Sequence, residues 1–407
     1  MAPPCGSGRS WLREVKMALC LFFLAPMSSV GIRNTNIASS KKQKLEVRQQ
    51  LKSLNNPALK TIKSPDGDII DCVDIYNQPA FDHPLLKNHT IKVTKGLSFD
   101  ESNNVSSNSK SEITQPWHLN GSCPEGTIPI RRTNEKDLLK ANYGSKKHNS
   151  VPNVIDTPSL HEYATLREEG ERYYGMNAEI TVWNPQVQEQ AEFSMAQFWV
   201  EGVDNNGVFL DSIEAGAMKQ VYYDLYKDFE TRLFTYWTSD GYQNTGCYNM
   251  VCPGFVQIDT RLALGASFIP YSKYGGVQKS VNYFVYKDNV DGNWWLHLNN
   301  MYLIGYWPSA LFSVLSNSAS SVTWGGEVAN LNIGGQHTTT QMGSGHFAEE
   351  GPSWASYFQN LKVMDAEQFL RGPRDNHRIV TYPDCYNFLK GDDFFYYGGP
   401  GRSLLCP

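Results

Sequence analysis

The chain has 407 residues, with 41 Asp and Glu against 36 Lys and Arg, a net charge of −5 and only 19% charged residues. At roughly 150 residues per domain it has room for two or three domains with a sizeable core. The acidic balance, with no lysine–arginine cluster interleaved with aromatics, offers no field for a phosphate backbone and argues against nucleic acid as a partner. Aromatics reach 13%, a bias that favours strands.

The first element is an N-terminal leader. Arg9, Arg13 and Lys16 precede an apolar run at 17–26, and Ser28, Ser29 and Gly31 follow it. That is the order of a secretory signal peptide over residues 1–31. The run is shorter than the roughly 20 apolar residues needed to span a bilayer, and no comparable stretch follows. The expected product is secreted or vacuolar, with no membrane attachment once the signal is removed. Cysteine usage agrees: beyond Cys5 and Cys20 of the leader, Cys72, Cys123, Cys247, Cys252, Cys385 and Cys406 form an even set that suits an oxidising lumen. Six cysteines allow 15 pairings in principle. Proximity in sequence pairs Cys247 with Cys252 and Cys385 with Cys406, leaving Cys72 for Cys123. With no C-x-x-C pair and no histidine at ligand spacing, no metal is expected.

Residues 32–132 read as a small mixed α/β segment, with a charged helical stretch at 44–54, an S-P-D-G-D turn and polar loops. All three N-x-S/T acceptor sites, Asn88, Asn104 and Asn120, fall here and mark it as surface. Residues 133–158 read as an exposed linker with a short helical stretch at 136–141; with Arg131-Arg132 just ahead of it, this is where proteolytic maturation is expected. From 159 to 407 the pattern becomes short aromatic strands separated by Gly, Pro, Asn and Asp, which predicts an all-β domain, an antiparallel sandwich or barrel. One helix is expected in it, at 309–317 after Pro308.

Two strands of that region each set one glutamate among small residues: S-I-E-A-G-A around Glu214 and W-G-G-E-V around Glu327. Alternation puts Glu214 on one face with Ser212 and Gly216, and Glu327 on one face with Gly325 and Ala329. Small neighbours read as open space for water and substrate beside each carboxylate. Other motifs carry less: M-G-S-G-H around Ser344 and His346 lacks the strand-then-helix context of a nucleophile elbow, and nothing has the pattern of a phosphate-binding loop.

Longer stretches then point to a family. D-C-V-D-I-Y-N-Q-P-A-F-D-H-P-L-L-K-N-H at 71–89 resembles the activation peptide of the neprosin family, plant-type secreted glutamic peptidases, and C-P-E-G-T-I-P-I-R-R-T at 123–133 resembles the end of that segment. Y-Y-G-M-N-A-E-I-T-V-W-N-P, F-T-Y-W-T-S-D-G-Y, T-G-C-Y-N-M-V-C-P-G-F-V and H-T-T-T-Q-M-G-S-G-H-F resemble its catalytic domain. The resemblance implies a zymogen: residues 32–132 as activation pro-segment and intramolecular inhibitor, and 159–407 as an antiparallel β-sandwich that cuts after proline in acid, with two glutamates and no cofactor. Its I-E-A-G-W and G-G-E motifs fall on Glu214 and Glu327, except that Ala217 stands where the family has tryptophan. Proline recognition calls for an aromatic subsite, for which Tyr236, Trp237, Tyr306 and Trp307 are candidates, with Gln341 as a polar partner to the oxyanion. The expected substrate is a proline-rich peptide or protein. The alternative is a weakened or inactive paralogue that serves as a carbohydrate- or wall-binding sandwich.

Overall fold

A computed structural model describes residues 51, 55–92, 112–133, 161–189, 192–219, 230–374 and 376–407. The expected signal peptide, the expected helical stretches at 44–54 (apart from Leu51) and 136–141, Asn104, and the expected linker after Thr133 lie outside the described residues.

The strands run in chain order β1 (Ala58–Lys63), β2 (Ile69–Asp74), β3 (Thr127–Arg131), β4 (His161–Tyr173), β5 (Gly175–Thr181), β6 (Ser194–Val203), β7 (Phe209–Lys219), β8 (Thr231–Thr238), β9 (Cys247–Tyr248), β10 (Val256–Gln257), β11 (Ser280–Lys287), β12 (Trp294–Leu298), β13 (Tyr302–Trp307), β14 (Ala319–Ala329), β15 (Ser356–Met364), β16 (Leu370–Arg371), β17 (His377–Val380), β18 (Asn387–Lys390) and β19 (Phe394–Gly398). They form three antiparallel sheets: a small one, β1-β2-β3; one of seven strands, β17-β4-β14-β6-β7-β8-β9; and one of nine, β10-β13-β12-β11-β5-β15-β19-β18 with β16 on β15.

Alternation decides what fills the space between the two large sheets. Leu166, Phe198, Val200, Ile213, Ala215, Leu233, Val322 and Trp324 from the seven-stranded sheet meet Tyr283, Val285, Trp294, Leu296, Trp307 and Phe358 from the nine-stranded one. Each fully buried large apolar side chain contributes about 1.5–3 kcal/mol, so this layer is what holds the sandwich together.

The expected helix at 309–317 is not formed; a single 3-10 turn, Ser309–Leu311, stands there. The reason lies a hundred residues away. Asp211 accepts from the backbone N–H groups of Val314 and Leu315 at 2.6 and 2.9 Å, and the indole of Trp294 donates to the Leu315 carbonyl at 2.7 Å. Those bonds take backbone groups a helix would have used.

The pro-segment sheet and the sandwich belong to one unit, Val47–Pro407. Asp68 of the pro-segment forms a buried ion pair with Arg232 of β8 at 2.6 Å and another with Arg131 at 2.8 Å. Gln78 mimics a strand neighbour, accepting from the Gln257 N–H at 2.8 Å and donating to its carbonyl at 3.0 Å. His83 sets its ring edge against Trp237, and Trp117 packs with Ala263 and Ala266. Three disulfides, Cys72–Cys123, Cys247–Cys252 and Cys385–Cys406, join the cysteines as their spacing predicts. Of the acceptor asparagines, Asn88 and Asn120 are exposed, the latter donating through Nδ2 to the Lys63 carbonyl.

Candidate active site

Glu214 on β7 and Glu327 on β14 are separated by one strand, β6. Across that sheet Glu214 stands opposite Trp199 and Tyr236, and Glu327 stands opposite Met195 and Tyr163. Residues directly opposite share a face, and Met195 and Trp199 are an even number of residues apart, so both glutamates lie on the same outer face. Gln197 occupies that face between them, opposite Gly216 and Gly325.

The small residues do not make open space. Both glutamates are only 6% exposed. A Cβ on Gly216 would lie 2.1 Å from the Ala196 carbonyl oxygen, and one on Gly325 would lie 2.4 Å from that of Ala164. Glycine is required because neighbouring strands come close, and Gly325 also has φ +155°, where a side chain is strained.

The two carboxyl groups have different partners. Glu214 Oε1 accepts from the Tyr242 hydroxyl at 2.7 Å and the Ser212 hydroxyl at 3.0 Å. Tyr242 sits at φ 63° in a loop whose amides at 243, 244 and 245 donate to Asp240, and its ring stacks on Phe209 and Tyr236. Burial first, opposed by the two hydroxyls and reinforced by the charge of Glu327, pushes the Glu214 carboxyl up to about 8. Glu327 has its two oxygens held from opposite sides, Oε1 at 2.5 Å from His161 Nδ1 of β4 and Oε2 at 2.7 Å from Gln197 Nε2 of β6. Tyr163 senses both carboxylates: burial, then the charges of Glu327 and Glu214, hold its phenol far above the ordinary range. Further along the face Arg167 pairs with Glu201 at 2.6 Å.

Of the aromatic subsite candidates only Tyr236 shares this face. Trp237 follows it by one residue and turns into the inter-sheet core, where Trp307 also lies. Tyr306 belongs to the other sheet, packed with Phe284, Tyr286, Trp295 and Ala80 of the pro-segment; its hydroxyl accepts from the Lys92 N–H at 3.0 Å and bonds His89. Gln341 ties two loops together, its side-chain oxygen accepting from the Gln186 N–H at 2.8 Å. The apolar group beside the glutamates is instead the buried cluster of Met195, Met218 and Phe234, flanked by Phe193, Tyr236 and Tyr248. Ala217 points away from Glu214 into the core, at a pocket it shares with Trp183, Pro185, Ala196 and Tyr397. His161, Gln197 and Tyr242 escaped the sequence reading, though the alternation used for Glu214 selects Gln197 once β6 is known to lie between the two motifs.

Two buried carboxyls lie on one face of a β-sandwich, one pushed up by burial to about 8 and one held by partners on both oxygens, an arrangement able to divide acid and base work. The family model described as neprosin matches residues 190–400, and that of the neprosin activation peptide matches 61–167. The chain belongs to the neprosin family and carries its activation peptide, so it is a peptidase zymogen. Among solved structures it is similar to scytalido-glutamic peptidase with a transition state analogue inhibitor, at 10% identity over 58% of this chain and 97% of that one, TM-score 0.33. It is also similar to SCP-B, a member of the Eqolisin family of peptidases, in complex with the tripeptide Ala-Ile-His, at 11% identity over 60% and 98%, TM-score 0.31. Likenesses this distant carry none of the functional reading.

Proposed function

We propose that this chain is the secreted zymogen of a glutamic endopeptidase that cleaves on the C-terminal side of proline in acid, with Glu327 as general base and Glu214 as general acid. The observation that carries this is the contrast between the two carboxyls on one face. Glu327 accepts a proton from a water whose oxygen attacks the scissile carbonyl carbon. Glu214, protonated, donates toward the carbonyl oxygen, and the proton held by Glu327 passes to the leaving amine as the C–N bond breaks. Two carboxyls with separated protonation behaviour divide acid and base work in this way. The apolar group of Met195, Met218, Phe234 and Tyr236 is the proposed seat of the proline ring, in place of Trp237, Tyr306 and Trp307. Post-proline specificity and the acid optimum come from the family resemblance, and passage through the secretory pathway from the leader and the even cysteine set.

The test is to express the full chain, acidify it, follow the appearance of a shorter product by mass, and assay that product on a proline-containing peptide. Glu214→Gln and Glu327→Gln should each keep the fold and lose turnover by at least a hundredfold. Turnover within tenfold of the parent in either variant would overturn the proposal.

A further inference from the structure

We infer that His161 is a positioning residue that fixes the orientation and the charge state of Glu327. This rests on the reading of Glu327 as the base. His161 is the first residue of β4 and pairs in register with Ala329, two residues along β14 from Glu327 and on the same face. Its Nδ1 reaches Glu327 Oε1 at 2.5 Å, while Gln197 holds Oε2 from the other side. The carboxylate is thereby fixed between two strands. The imidazole is itself braced, edge-on to Phe193 at 5.4 Å and tilted against Tyr163 at 6.5 Å.

The charged and titratable groups on this face come from every neighbouring strand: Tyr163, Arg167 and Glu169 from β4, His377 from β17, Glu327 from β14, Glu201 from β6, Glu214 from β7, Tyr236 and the Asp68-paired Arg232 from β8, and Tyr242 from the loop that follows. Arg167 is committed to Glu201 and Glu169. On the other side of β4, His377 of β17 stands opposite Arg167, and nearer His161 the chain just after β17 offers neutral groups, the Thr381 amide and hydroxyl bonding the Tyr163 backbone. Among the described residues His161 is the only cationic type within bonding distance of Glu327. Burial lowers the basicity of His161, but its bond to Glu327 and that carboxylate's charge more than reverse this, so the imidazolium persists above its usual range. When protonated, the imidazole sets a cation at bonding distance from Glu327 Oε1, on the side of the carboxyl away from Gln197. A second consequence concerns maturation: the cut has to fall ahead of residue 161, because trimming into β4 would remove the group that holds Glu327.

His161→Asn places an amide nitrogen where Nδ1 sits and keeps orientation without charge, whereas His161→Ala removes both. Removing a cation at bonding distance makes a carboxylate easier to protonate by about one to three pH units. The Asn variant of the acid-activated chain should therefore show its acid limb of kcat/KM raised by about one pH unit or more, with KM within twofold; the Ala variant should add a further loss in kcat. Uniform loss at all pH values with the acid limb unmoved would overturn the inference. An NMR titration of the His161 ring in full-length Glu327→Gln gives a readout independent of activity: its midpoint should fall below that of the parent, and an unchanged midpoint overturns the pairing. Mass analysis of the matured chain should find residue 161 retained, and a start beyond it would overturn the inference too. If Glu327→Gln keeps turnover while the His161 midpoint still falls, the base assignment fails and the pairing stands.

Discussion

Replacing Glu214 by glutamine tests the acid assignment through stability alone. Glutamine keeps the shape of a protonated glutamate but cannot ionise. In the folded chain burial and the charge of Glu327 raise the Glu214 carboxyl from 4.5 to about 8. A carboxyl that holds its proton more tightly folded than unfolded contributes stability that is complete below about 4.5 and is lost as pH rises through about 8. Within that window each pH unit removes up to ~1.36 kcal/mol, so from pH 6 to pH 8 the parent should lose about 2–3 kcal/mol from this group, a ceiling that local relaxation lowers. The assay is urea unfolding of both full-length chains at pH 6, 7 and 8, a range chosen to stay clear of acid processing. His161 and His337, both raised, also lose their contributions with rising pH, but they are present in both chains and largely cancel in the difference. Glu214→Gln should gain on the parent by about 2 kcal/mol between pH 6 and pH 8, and an infrared band from a protonated carboxyl at pH 6.5 should be missing from the variant alone. Parallel unfolding curves over the whole range would show that Glu214 is already ionised at neutrality and cannot be the acid.

Three further substitutions probe other links. Tyr242→Phe removes a hydroxyl bonded to Glu214 Oε1 while keeping the stack on Phe209 and Tyr236; a bond to a neutral carboxyl is worth about 0.5–1.5 kcal/mol, so kcat should fall about 2- to 10-fold with the melting curve little moved. Gly216→Ala forces a Cβ to 2.1 Å from the Ala196 carbonyl oxygen and 2.7 Å from the Gln197 Cα, and should cost about 1–3 kcal/mol in thermal unfolding together with activity, since Gln197 bonds Glu327. Asp68→Ala deprives buried Arg232 of its carboxylate; the zymogen should lose about 3–5 kcal/mol, read by urea unfolding, while the matured chain, which no longer contains residue 68, should melt as the parent does.

Much of the sandwich was legible because strand alternation is a local rule. It placed the two glutamates on their faces, and it put Ala217 on the face opposite Glu214. Applied to Tyr236 and Trp237, the same rule separates them, since consecutive residues cannot both face a substrate. Tyr306 and Trp307 required knowledge of sheet membership, which depends on long-range pairing. The glycines beside the glutamates were legible as small but not as crowded, because the atoms that crowd them belong to β4 and β6. The helix at 309–317 failed for the same reason: local propensity favours it, and Asp211 of β7 captures its amides.

The division of labour between the two glutamates follows from the strands on either side of them. The two residues are equally buried, on one face, each in a strand of small residues. Nothing in S-I-E-A-G-A or W-G-G-E-V distinguishes acid from base. Glu214 is buried beside the aromatic rings of Trp199 and Tyr236 opposite it in register, which favours the neutral form, and its two hydroxyl donors oppose this only in part. Glu327 instead has an imidazole from β4 on one oxygen and an amide from β6 on the other, 166 and 130 residues away in sequence. Exchanging the two roles would therefore require changes in β4, β6 and the Tyr242 loop with both glutamate motifs left intact, and this makes His161, Gln197 and Tyr242 the positions at which the chemistry of the pair is set.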